Sequence, residues 1–406
     1  MDKIVFNQSC FFGLNSINEI AKEVKNRHLK KGFIITDNGL ISCGVYQKVA
    51  DVLIRGQIPS TMFSDVTPEP TVRDVKNAYN ELKRSGADFI LAIGGGSPID
   101  TAKAISVIAT NPKYEDVVSL GGHKDNLNAP LPIFTVPTTA GSAAEISKSF
   151  VITDEVNSKK IVCFNDKMLP IETFIDAELT TTMPDIITLS SGFDALAHAV
   201  ESLISSKANM FSTTLAKDAV KLIIKNLPLC YDEPEDLEAR ENMAYASYIA
   251  GLAYSNSGLG IAHSIAHAIS GKFNIQHGIA LSMVLPTVLK FNMYSPKAHM
   301  YKYIAEAFDI DTSNMKLEEI CRASVKEIEK FKNEFNIPKK LSDYGVSEQD
   351  LDTLALNALQ DACTTEILVK WQWQIFICFS KKCFKKTTKL VVFLFPVLFL
   401  CIIILN

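Results

Sequence analysis

The chain has 406 residues, of which 47% are hydrophobic and 21% charged, and its formal net charge is -4. Since a typical domain has about 100–200 residues, we expect two domains. The chain has no excess of basic residues, which argues against nucleic acid as a partner. The 9 cysteines include no C-x-x-C pair and residues 1–6 lack a signal-peptide core, so we expect reduced thiols and a cytoplasmic location.

The first part of the chain alternates short apolar runs with helical patterns. Buried strands are predicted at residues 32–37, 88–93 and 132–136. Helices are predicted at residues 72–85 and 98–109. Continuous apolar strands that alternate with helices indicate a parallel sheet covered on both faces. We therefore expect an α/β domain over residues 1–182.

The pattern changes after Thr182, where long helices replace the alternation. Helices are predicted at residues 184–206, 210–226 and 237–255, and Pro184 suits a helix start. We therefore expect an all-α domain over residues 183–365.

A glycine-rich turn, residues 94–98 (GGGSP), follows one predicted strand and precedes a helix. Glycines let the backbone approach an anion, and the first N–H groups of the helix stabilise its charge. The turn matches neither the G-x-G-x-x-G nor the P-loop pattern, and a plain strand-to-helix turn is the alternative interpretation. A second small polar turn, residues 137–142 (PTTAGS), also follows a strand, which favours a ligand crevice. Asp37, at a third strand end, either accepts hydrogen bonds from ribose hydroxyls or caps a helix.

The helical part contains a metal-ligand pattern. Asp194 and His198 are four residues apart, as are His263 and His267, so each pair shares one face of a helix. His277 precedes a glycine, and we expect it on a loop at a helix end. Mixed nitrogen and oxygen ligands suit Fe(II), Zn(II), Mn(II) or Co(II). His267 is a fifth candidate, one more than a four-ligand site needs. We therefore interpret it as a proton shuttle, with helix packing as the alternative.

Four stretches resemble the iron-containing (group III) alcohol dehydrogenase family, particularly its lactaldehyde/propanediol and butanol oxidoreductases. They are GGGSPID (94–100), PTTAGS (137–142), GFDALAHAVE (192–201) and GLGIAHSIAHAISGKFNIQHG (258–278). The likeness covers residues 1 to about 364. It implies a Rossmann-like NAD(H)-binding domain, a helical domain that binds Fe(2+) or Zn(2+), a homodimer, and hydride transfer with short-chain alcohols, diols or aldehydes.

The resemblance also implies roles for single residues. The implied metal ligands are Asp194, His198, His263 and His277, and His267 would lie near the nicotinamide. The implied cofactor contacts are Asp37, Gly95, Gly96, Ser97, Asp100, Thr138, Thr139, Ser142, Val151 and Lys160. The charge of Asp37 would repel a 2′-phosphate, which favours NAD over NADP. Tyr254 and Cys363 match positions near the substrate.

The chain departs from the family pattern in two places. Many relatives have Pro-Asn-Pro-Thr where this chain has Pro68-Glu69-Pro70-Thr71, and a carboxylate cannot donate to the cofactor as asparagine can. The match also stops after Thr364, where relatives continue into a turn and a final helix. Residues 366–406 instead form a basic and then apolar tail, which we interpret as the product of a reading-frame shift. Its apolar residues 390–405 are marginal for a membrane span, which needs about 20 residues.

Two other classes of function stay open from the sequence. One is another enzyme on a similar scaffold, either a zinc-dependent polyol (glycerol-type) dehydrogenase or a dehydroquinate synthase-like lyase, although residues 258–278 favour the alcohol dehydrogenases. The other is an inactive remnant that associates with membranes or aggregates through its altered tail.

Overall fold

The computed structural model describes residues 3–6, 9–157, 159–273, 275–337 and 340–366. The predicted tail, apart from residue 366, lies outside the described residues. No helix of the described part is both long and apolar enough to cross a membrane.

Nine strands form two sheets in the described part of the chain. The strands are β1 (Ser9–Phe12), β2 (Gly32–Ile35), β3 (Ser60–Phe63), β4 (Phe89–Gly94), β5 (Gly122–His123), β6 (Ile133–Pro137), β7 (Ser149–Asp154), β8 (Lys159–Phe164) and β9 (Glu172–Ile175). The main sheet has the order β1-β9-β6-β4-β2-β3 with every pair parallel. A small sheet, β5-β8-β7, contains the antiparallel pair β7 and β8.

The described residues also contain thirteen α-helices. They are α1 (Ile20–Asn26), α2 (Asn38–Ser42), α3 (Val45–Arg55), α4 (Val72–Ser85), α5 (Gly96–Thr110), α6 (Asp185–Ile204), α7 (Met210–Asp232), α8 (Leu237–Ser257), α9 (Ile261–Lys272), α10 (His277–Asn292), α11 (Tyr301–Ala307), α12 (Leu317–Glu334) and α13 (Leu351–Gln360). An α/β unit therefore precedes a helical unit, as the sequence predicts.

The strand order creates a crevice at the carboxyl end of the main sheet. The chain leaves β2 for β3 on one side, and then returns to place β4 on the other side of β2. Connections diverge at such a switch point, and ligands of open α/β sheets bind beside it. Asp37 follows β2, and the glycine-rich turn follows β4. Both predicted cofactor elements thus lie next to the switch point.

Helix α6 is the centre of the helical unit. It packs against α7, α8 and α10, and every residue from Gly192 to Ile204 is buried. Alternating small and large side chains such as Ala195 and Leu196 let neighbouring helices approach it closely. Polar residues on α6 are consequently held in a dry and rigid setting.

We propose that the two domains meet at residues 182 and 183. The last strand ends at Ile175, a short 3-10 turn covers Ala177–Thr180, and α6 begins at Asp185. Residues 181–184 therefore connect the sheet layer with the first long helix.

Local sequence signals explain the best predicted helix. Thr71 and Asp74 form a capping box at the start of α4, and Gly86 adopts a left-handed conformation after its last residue. Helix α7 differs from its prediction, because it continues through Pro228 to Asp232 instead of ending at Asn226. The buried face around Leu227 and Cys230 continues the packing of α7 past the proline.

Candidate metal centre and cofactor cleft

One aspartate is surrounded by three imidazoles in the helical unit. Asp194 and His198 lie on α6, His263 lies in the first turn of α9, and His277 is the first residue of α10. The predicted loop position of His277 is therefore wrong by a residue or two. Gln276 is the N-cap of α10, so the chain already turns into this helix before the histidine.

The imidazole nitrogens converge on one carboxylate oxygen. The distances from Asp194 Oδ1 are 3.6 Å to His198 Nε2, 3.5 Å to His263 Nε2 and 3.7 Å to His277 Nε2. Candidate ligand atoms of Asp194, His263 and His277 all lie within 4.8 Å of one another. The structure thus brings together the four residues that the sequence singled out as metal ligands.

The opposite ring nitrogens fix the orientation of two of these imidazoles. His198 Nδ1 donates to the carbonyl oxygen of Gly141 at 3.2 Å, and His263 Nδ1 donates to Glu201 Oε2 at 2.6 Å. In the neutral form of each ring the proton stays on Nδ1, so the lone pair of Nε2 is available to a cation. Such outer hydrogen bonds are typical of histidines that bind metals.

Two buried atoms at this centre lack a hydrogen-bond partner among the described residues. They are Asp194 Oδ1 and His263 Nε2, and Asp194 is only 8% exposed. A buried polar atom without a partner costs free energy unless another group satisfies it. A divalent cation between the carboxylate and the imidazoles would satisfy both atoms, so the donor set fits Fe(2+) or Zn(2+).

The electrostatics of the metal-free cluster support the same interpretation. Burial would raise the pKa of Asp194, but the three imidazoles outweigh it and hold that pKa well below its usual range. Burial lowers the pKa of His198 to about 4 and that of His277 well below its ordinary value. Burial also acts to lower the pKa of His263, but the carboxylates of Asp194 and Glu201 raise it to about 9. A proton on His263 thus occupies the position where a cation would displace it.

Glu201 is a site residue whose role the sequence did not reveal. It is 1% exposed, and besides His263 Nδ1 it accepts hydrogen bonds from the backbone N–H groups of Gly260 and Ala262 at 3.1 and 2.7 Å. Glu201 therefore fixes both the start of α9 and the ring of His263. Its spacing was a usable signal, because residues 194, 198 and 201 lie on one face of a helix.

We expect Glu201→Gln to weaken metal affinity by about 10–100-fold, the usual effect of losing an outer carboxylate partner of a metal-bound histidine. Glutamine has the size of glutamate but lacks the negative charge of the carboxylate to which His263 Nδ1 donates. Chelator competition under anaerobic conditions measures the affinity. Glu329→Gln is the matched control, since Glu329 forms an exposed ion pair with Lys290 of α10. Equal affinity in the two variants would contradict the role of Glu201.

The two predicted cofactor turns lie against each other. A Cβ added to Gly95 would be 3.0 Å from Thr139 Oγ1, and one added to Gly96 would be 3.2 Å from the Ser142 side chain. Thr138 N also donates to the carbonyl oxygen of Gly94 at 3.1 Å. Side chains at Gly95 and Gly96 would therefore narrow the space between the turns at the start of α5. This cradle fits the phosphates of a dinucleotide.

Four further predicted cofactor residues lie near this cradle. Asp100 Oδ2 accepts from Val151 N at 2.9 Å, which joins α5 to β7. Lys160 on β8 pairs with Glu69 and donates to Thr153 Oγ1 at 2.8 Å. Glu69, where many relatives have asparagine, thus forms an ion pair with Lys160. Ser97 lies in the first turn of α5, where its carbonyl oxygen accepts from Thr101.

Asp37 is the N-cap of the short helix α2. Its Oδ1 accepts from Leu40 N at 3.0 Å, so the helix-cap interpretation holds. This hydrogen bond engages one carboxylate oxygen. The side chain therefore still places a negative charge at the carboxyl end of β2.

A cavity of about 300 Å³ lies where β8 faces α9 and the end of α13, and its walls include Lys160, Val162, His267, Gln360 and Asp361. Tyr254 lies closer to the metal centre, because its ring stacks on that of His198 at 4.2 Å and its hydroxyl donates to the carbonyl oxygen of Ser142 at 3.1 Å. Cys363 is half-buried, and its backbone N–H donates to Asp361 Oδ1 at 2.8 Å.

Comparison with known proteins covers both halves of the chain. The family model "Iron-containing alcohol dehydrogenase" matches residues 7–177, and "Fe-containing alcohol dehydrogenase family, C-terminal" matches residues 188–371. The chain is 37% identical to lactaldehyde reductase of Escherichia coli (strain K12) over 363 residues, 89% of this chain and 94% of that one. It is 34% identical to the NAD-dependent methanol dehydrogenase of Bacillus methanolicus over 353 residues, covering 87% and 92%. A crystal structure of 1,3-propanediol oxidoreductase superposes with a TM-score of 0.91 and 31% identity, covering 95% of this chain and all of the other.

Proposed function

Because the chain belongs to the iron-containing alcohol dehydrogenase family, we propose that it interconverts short-chain primary alcohols or diols and their aldehydes with NAD(H). Three of its relatives are a lactaldehyde reductase, a methanol dehydrogenase and a 1,3-propanediol dehydrogenase. All three names describe small, unbranched or hydroxylated substrates, and we propose the same class of substrate for the present chain.

One observation carries the proposal. The turn formed by residues 137–142 touches the glycine-rich turn on one side and the metal centre on the other. Its Thr139 and Ser142 lie against Gly95 and Gly96, while its Gly141 carbonyl accepts from His198. A dinucleotide in the cradle and a cation between the histidines would therefore be neighbours, as transfer between a cofactor and a bound alcohol requires.

We propose Asp194, His198, His263 and His277 as the residues that hold the metal. When bound, the cation supplies Lewis acidity toward an alcohol or carbonyl oxygen and the dinucleotide supplies or accepts hydride. Glu201 and the Gly141 carbonyl orient the imidazoles. Tyr254 packs over His198, which excludes water from that side of the centre.

His267 is the proposed proton handler. It lies one helical turn after His263, and its ring stacks on that of His277 at 5.0 Å. It also lines the cavity described above, so it can pass a proton between the reacting oxygen and solvent. Tyr254 and Cys363 are proposed to shape the substrate pocket beside it.

Anaerobic purification with Fe(II), followed by NADH oxidation with acetaldehyde, butyraldehyde, lactaldehyde and 3-hydroxypropionaldehyde, tests the proposal. We expect turnover with at least one of them and its loss after metal removal. Turnover restricted to glycerol or dihydroxyacetone in the zinc-loaded protein would favour the polyol alternative. Inactive, aggregated protein would favour the remnant.

We propose NAD(H) rather than NADP(H) as the cofactor, because Asp37 places a charge beside the switch point. Asp37→Asn should reduce discrimination against NADPH by about tenfold, since a repulsion of about 1.4 kcal/mol corresponds to that factor. Asparagine caps helices as well as aspartate does, so α2 should stay intact. The ratio of kcat/KM for NADH and NADPH measures the effect. An unchanged ratio would remove Asp37 from cofactor selection.

We propose a homodimer that forms at the outer edge of β1. This strand ends the main sheet, and apolar side chains lie exposed around it: Ile4, Phe6, Phe12, Leu14 and Tyr245. An exposed strand edge with apolar neighbours favours pairing with another chain. Sedimentation velocity would distinguish the dimer from the 44.8 kDa monomer.

We also propose a cytoplasmic location. None of the six cysteines in the described residues forms a disulfide, which suits a reducing compartment.

A further inference from the structure

His267 makes a short contact with an aspartate that is distant in sequence. His267 Nδ1 lies 2.9 Å from Asp361 Oδ2, and the two side chains are 12% and 6% exposed. Asp361 is the first residue after α13, whereas His267 lies in the middle of α9. The contact therefore joins the end of the described chain to the helix that carries His263.

The carboxylate of Asp361 is itself held in place. Its Oδ1 accepts from Cys363 N at 2.8 Å and lies 3.4 Å from Ser264 Oγ. Thr364 extends the network, because its hydroxyl donates to the carbonyl oxygen of Ala358 at 2.5 Å and lies 2.8 Å from Ser264 Oγ. Asp361 consequently presents Oδ2 to His267 in one defined orientation.

This group could also be considered as a second cation site, since ligand atoms of His267, Asp361 and Cys363 lie within 4.8 Å of one another. The hydrogen bonding argues against it. Both oxygens of Asp361 and Nδ1 of His267 already have partners, whereas at the metal centre Asp194 Oδ1 and His263 Nε2 are buried without one. The cluster is satisfied without a cation, which is the behaviour of an orienting network.

We propose that Asp361 is a positioning residue that holds the proton of neutral His267 on Nδ1, so that Nε2 is the nitrogen that receives the substrate proton. During alcohol oxidation the alcohol O–H bond breaks and its proton forms the Nε2–H bond. The Nδ1–H bond is kept, and the adjacent carboxylate stabilises the resulting imidazolium. The inference rests on the proposed function, because alcohol oxidation is the reaction that supplies the proton for His267 to accept.

The Ser-His-Asp triad gives a measure of how far kcat should fall when Asp361 is replaced. In a Ser-His-Asp triad, an aspartate with the same contact fixes the histidine tautomer, and its replacement by asparagine keeps the geometry but lowers kcat by about 10⁴-fold. Positioned general acid or base groups contribute about 10²–10⁴-fold. We expect a loss at the lower end of this range, about 10²-fold, because water that enters the cavity can accept part of the protons in place of His267.

Asp361→Asn in the full chain tests the inference through kinetics. We expect kcat for alcohol oxidation to fall by about 100-fold, with unchanged iron content and an unchanged KM for NAD. Asp350→Asn is the matched control, since Asp350 joins the same α13 region to α9 through Lys272 but does not contact His267. A loss confined to KM, or an equal loss in the control, would overturn the proposal.

A double-mutant cycle separates positioning from general stability. If Asp361 acts through His267, Asp361→Asn should have almost no further effect on kcat in a His267→Ala background, because coupled residues are not additive. Two full and additive losses would show that Asp361 acts by another route and would overturn the proposal.

A readout independent of activity is the tautomer itself. In zinc-loaded protein with ¹⁵N-labelled histidine, NMR should show the proton of neutral His267 on Nδ1. A proton on Nε2 in the wild type would overturn the inference, as would a second bound equivalent of Zn²⁺ that disappears in Cys363→Ala. Protein that oxidises no alcohol but shows the Nδ1 tautomer would contradict the proposed function alone.

Discussion

Replacement of His263 by alanine is expected to leave the protein without bound metal and to reduce turnover by at least about 1000-fold. A cation that polarises the reacting oxygen stabilises the transition state by several kcal/mol, and each 1.4 kcal/mol corresponds to a tenfold change in rate. The effect should exceed that of any other single ligand, because His263 alone contacts both Asp194 and Glu201.

The physical reason lies in the two carboxylates on either side of the ring. His263 is 1% exposed and separates Asp194 from Glu201, both of which are buried. Alanine would leave two buried negative charges facing a cavity, with three ligands for the cation instead of four. We therefore expect a lower melting temperature as well as metal loss, since an unpaired buried charge is strongly destabilising.

Iron analysis of anaerobically purified protein and NADH-linked turnover are the measurements. His299→Ala is the control, because His299 is exposed and its Nδ1 lies 3.2 Å from the carbonyl oxygen of Pro296, outside the metal centre. The melting temperature of metal-free wild type gives the reference that separates metal loss from unfolding. Full iron content in His263→Ala would exclude His263 as a ligand.

Local spacing predicted much of the metal centre. Asp194 and His198 share a face of α6 because residues four apart lie one helical turn apart. The same rule pairs His263 with His267 but does not say which of them faces the carboxylate. That depends on how α9 packs on α6, with Glu201 fixing the first turn of α9. The sequence set His267 apart only because four ligands were already present, and the resemblance to a known family implied the same assignment.

Contacts between distant residues were beyond local reasoning. His267 and Asp361 are 94 positions apart, and Lys160 and Glu69 are 91 apart. Asp361 in particular looks like an ordinary surface charge in the sequence, and it becomes a site residue only because the end of α13 packs beside α9. Glu69 adds a local peculiarity, since its φ of 59° lies in the left-handed region, where asparagine is favoured over glutamate.

The parallel sheet was predicted better than the small one. The apolar runs around Ile34, Leu91 and Phe134 became β2, β4 and β6 with every residue buried. Strands β7 and β8 were not predicted, and in both of them buried residues alternate with mostly half-buried ones over six positions. That small sheet nevertheless supplies Val151 and Lys160, so part of the cofactor cleft rests on elements that the pattern did not reveal.

Replacement of Gly278 by alanine is expected to be the most destabilising conservative change near the site. A Cβ at Gly278 would lie 1.7 Å from the carbonyl oxygen of Ser190 and 2.6 Å from its carbonyl carbon. Both atoms belong to the backbone of α6, so a side-chain rotation cannot relieve the contact. Overpacking of this kind typically costs about 1–3 kcal/mol, and we expect the upper end or more because the contact is with backbone.

The same contact sets the geometry of the metal centre. Gly278 follows His277 directly, and Ser190 lies one helical turn before Asp194, so the close approach of α10 to α6 brings His277 Nε2 to 3.7 Å from Asp194 Oδ1. Moving α10 away to fit a methyl group would withdraw His277 from the cation. Metal affinity should fall together with stability, although no ligand has been changed.

The sign of the stability change makes this experiment decisive. Where space allows, glycine to alanine within a helix stabilises a protein by about 0.5–1 kcal/mol, so an unaltered or raised melting temperature in Gly278→Ala would contradict the close packing of α10 on α6. Gly345→Ala is the control for backbone effects, because Gly345 has a φ of 83° and open space around its Cβ position. That variant should lose about 1 kcal/mol through the left-handed conformation and keep its metal. A folded Gly278→Ala protein with weakened metal binding would show that the distance between two helices, and not the identity of the ligands alone, determines whether this centre holds its cation.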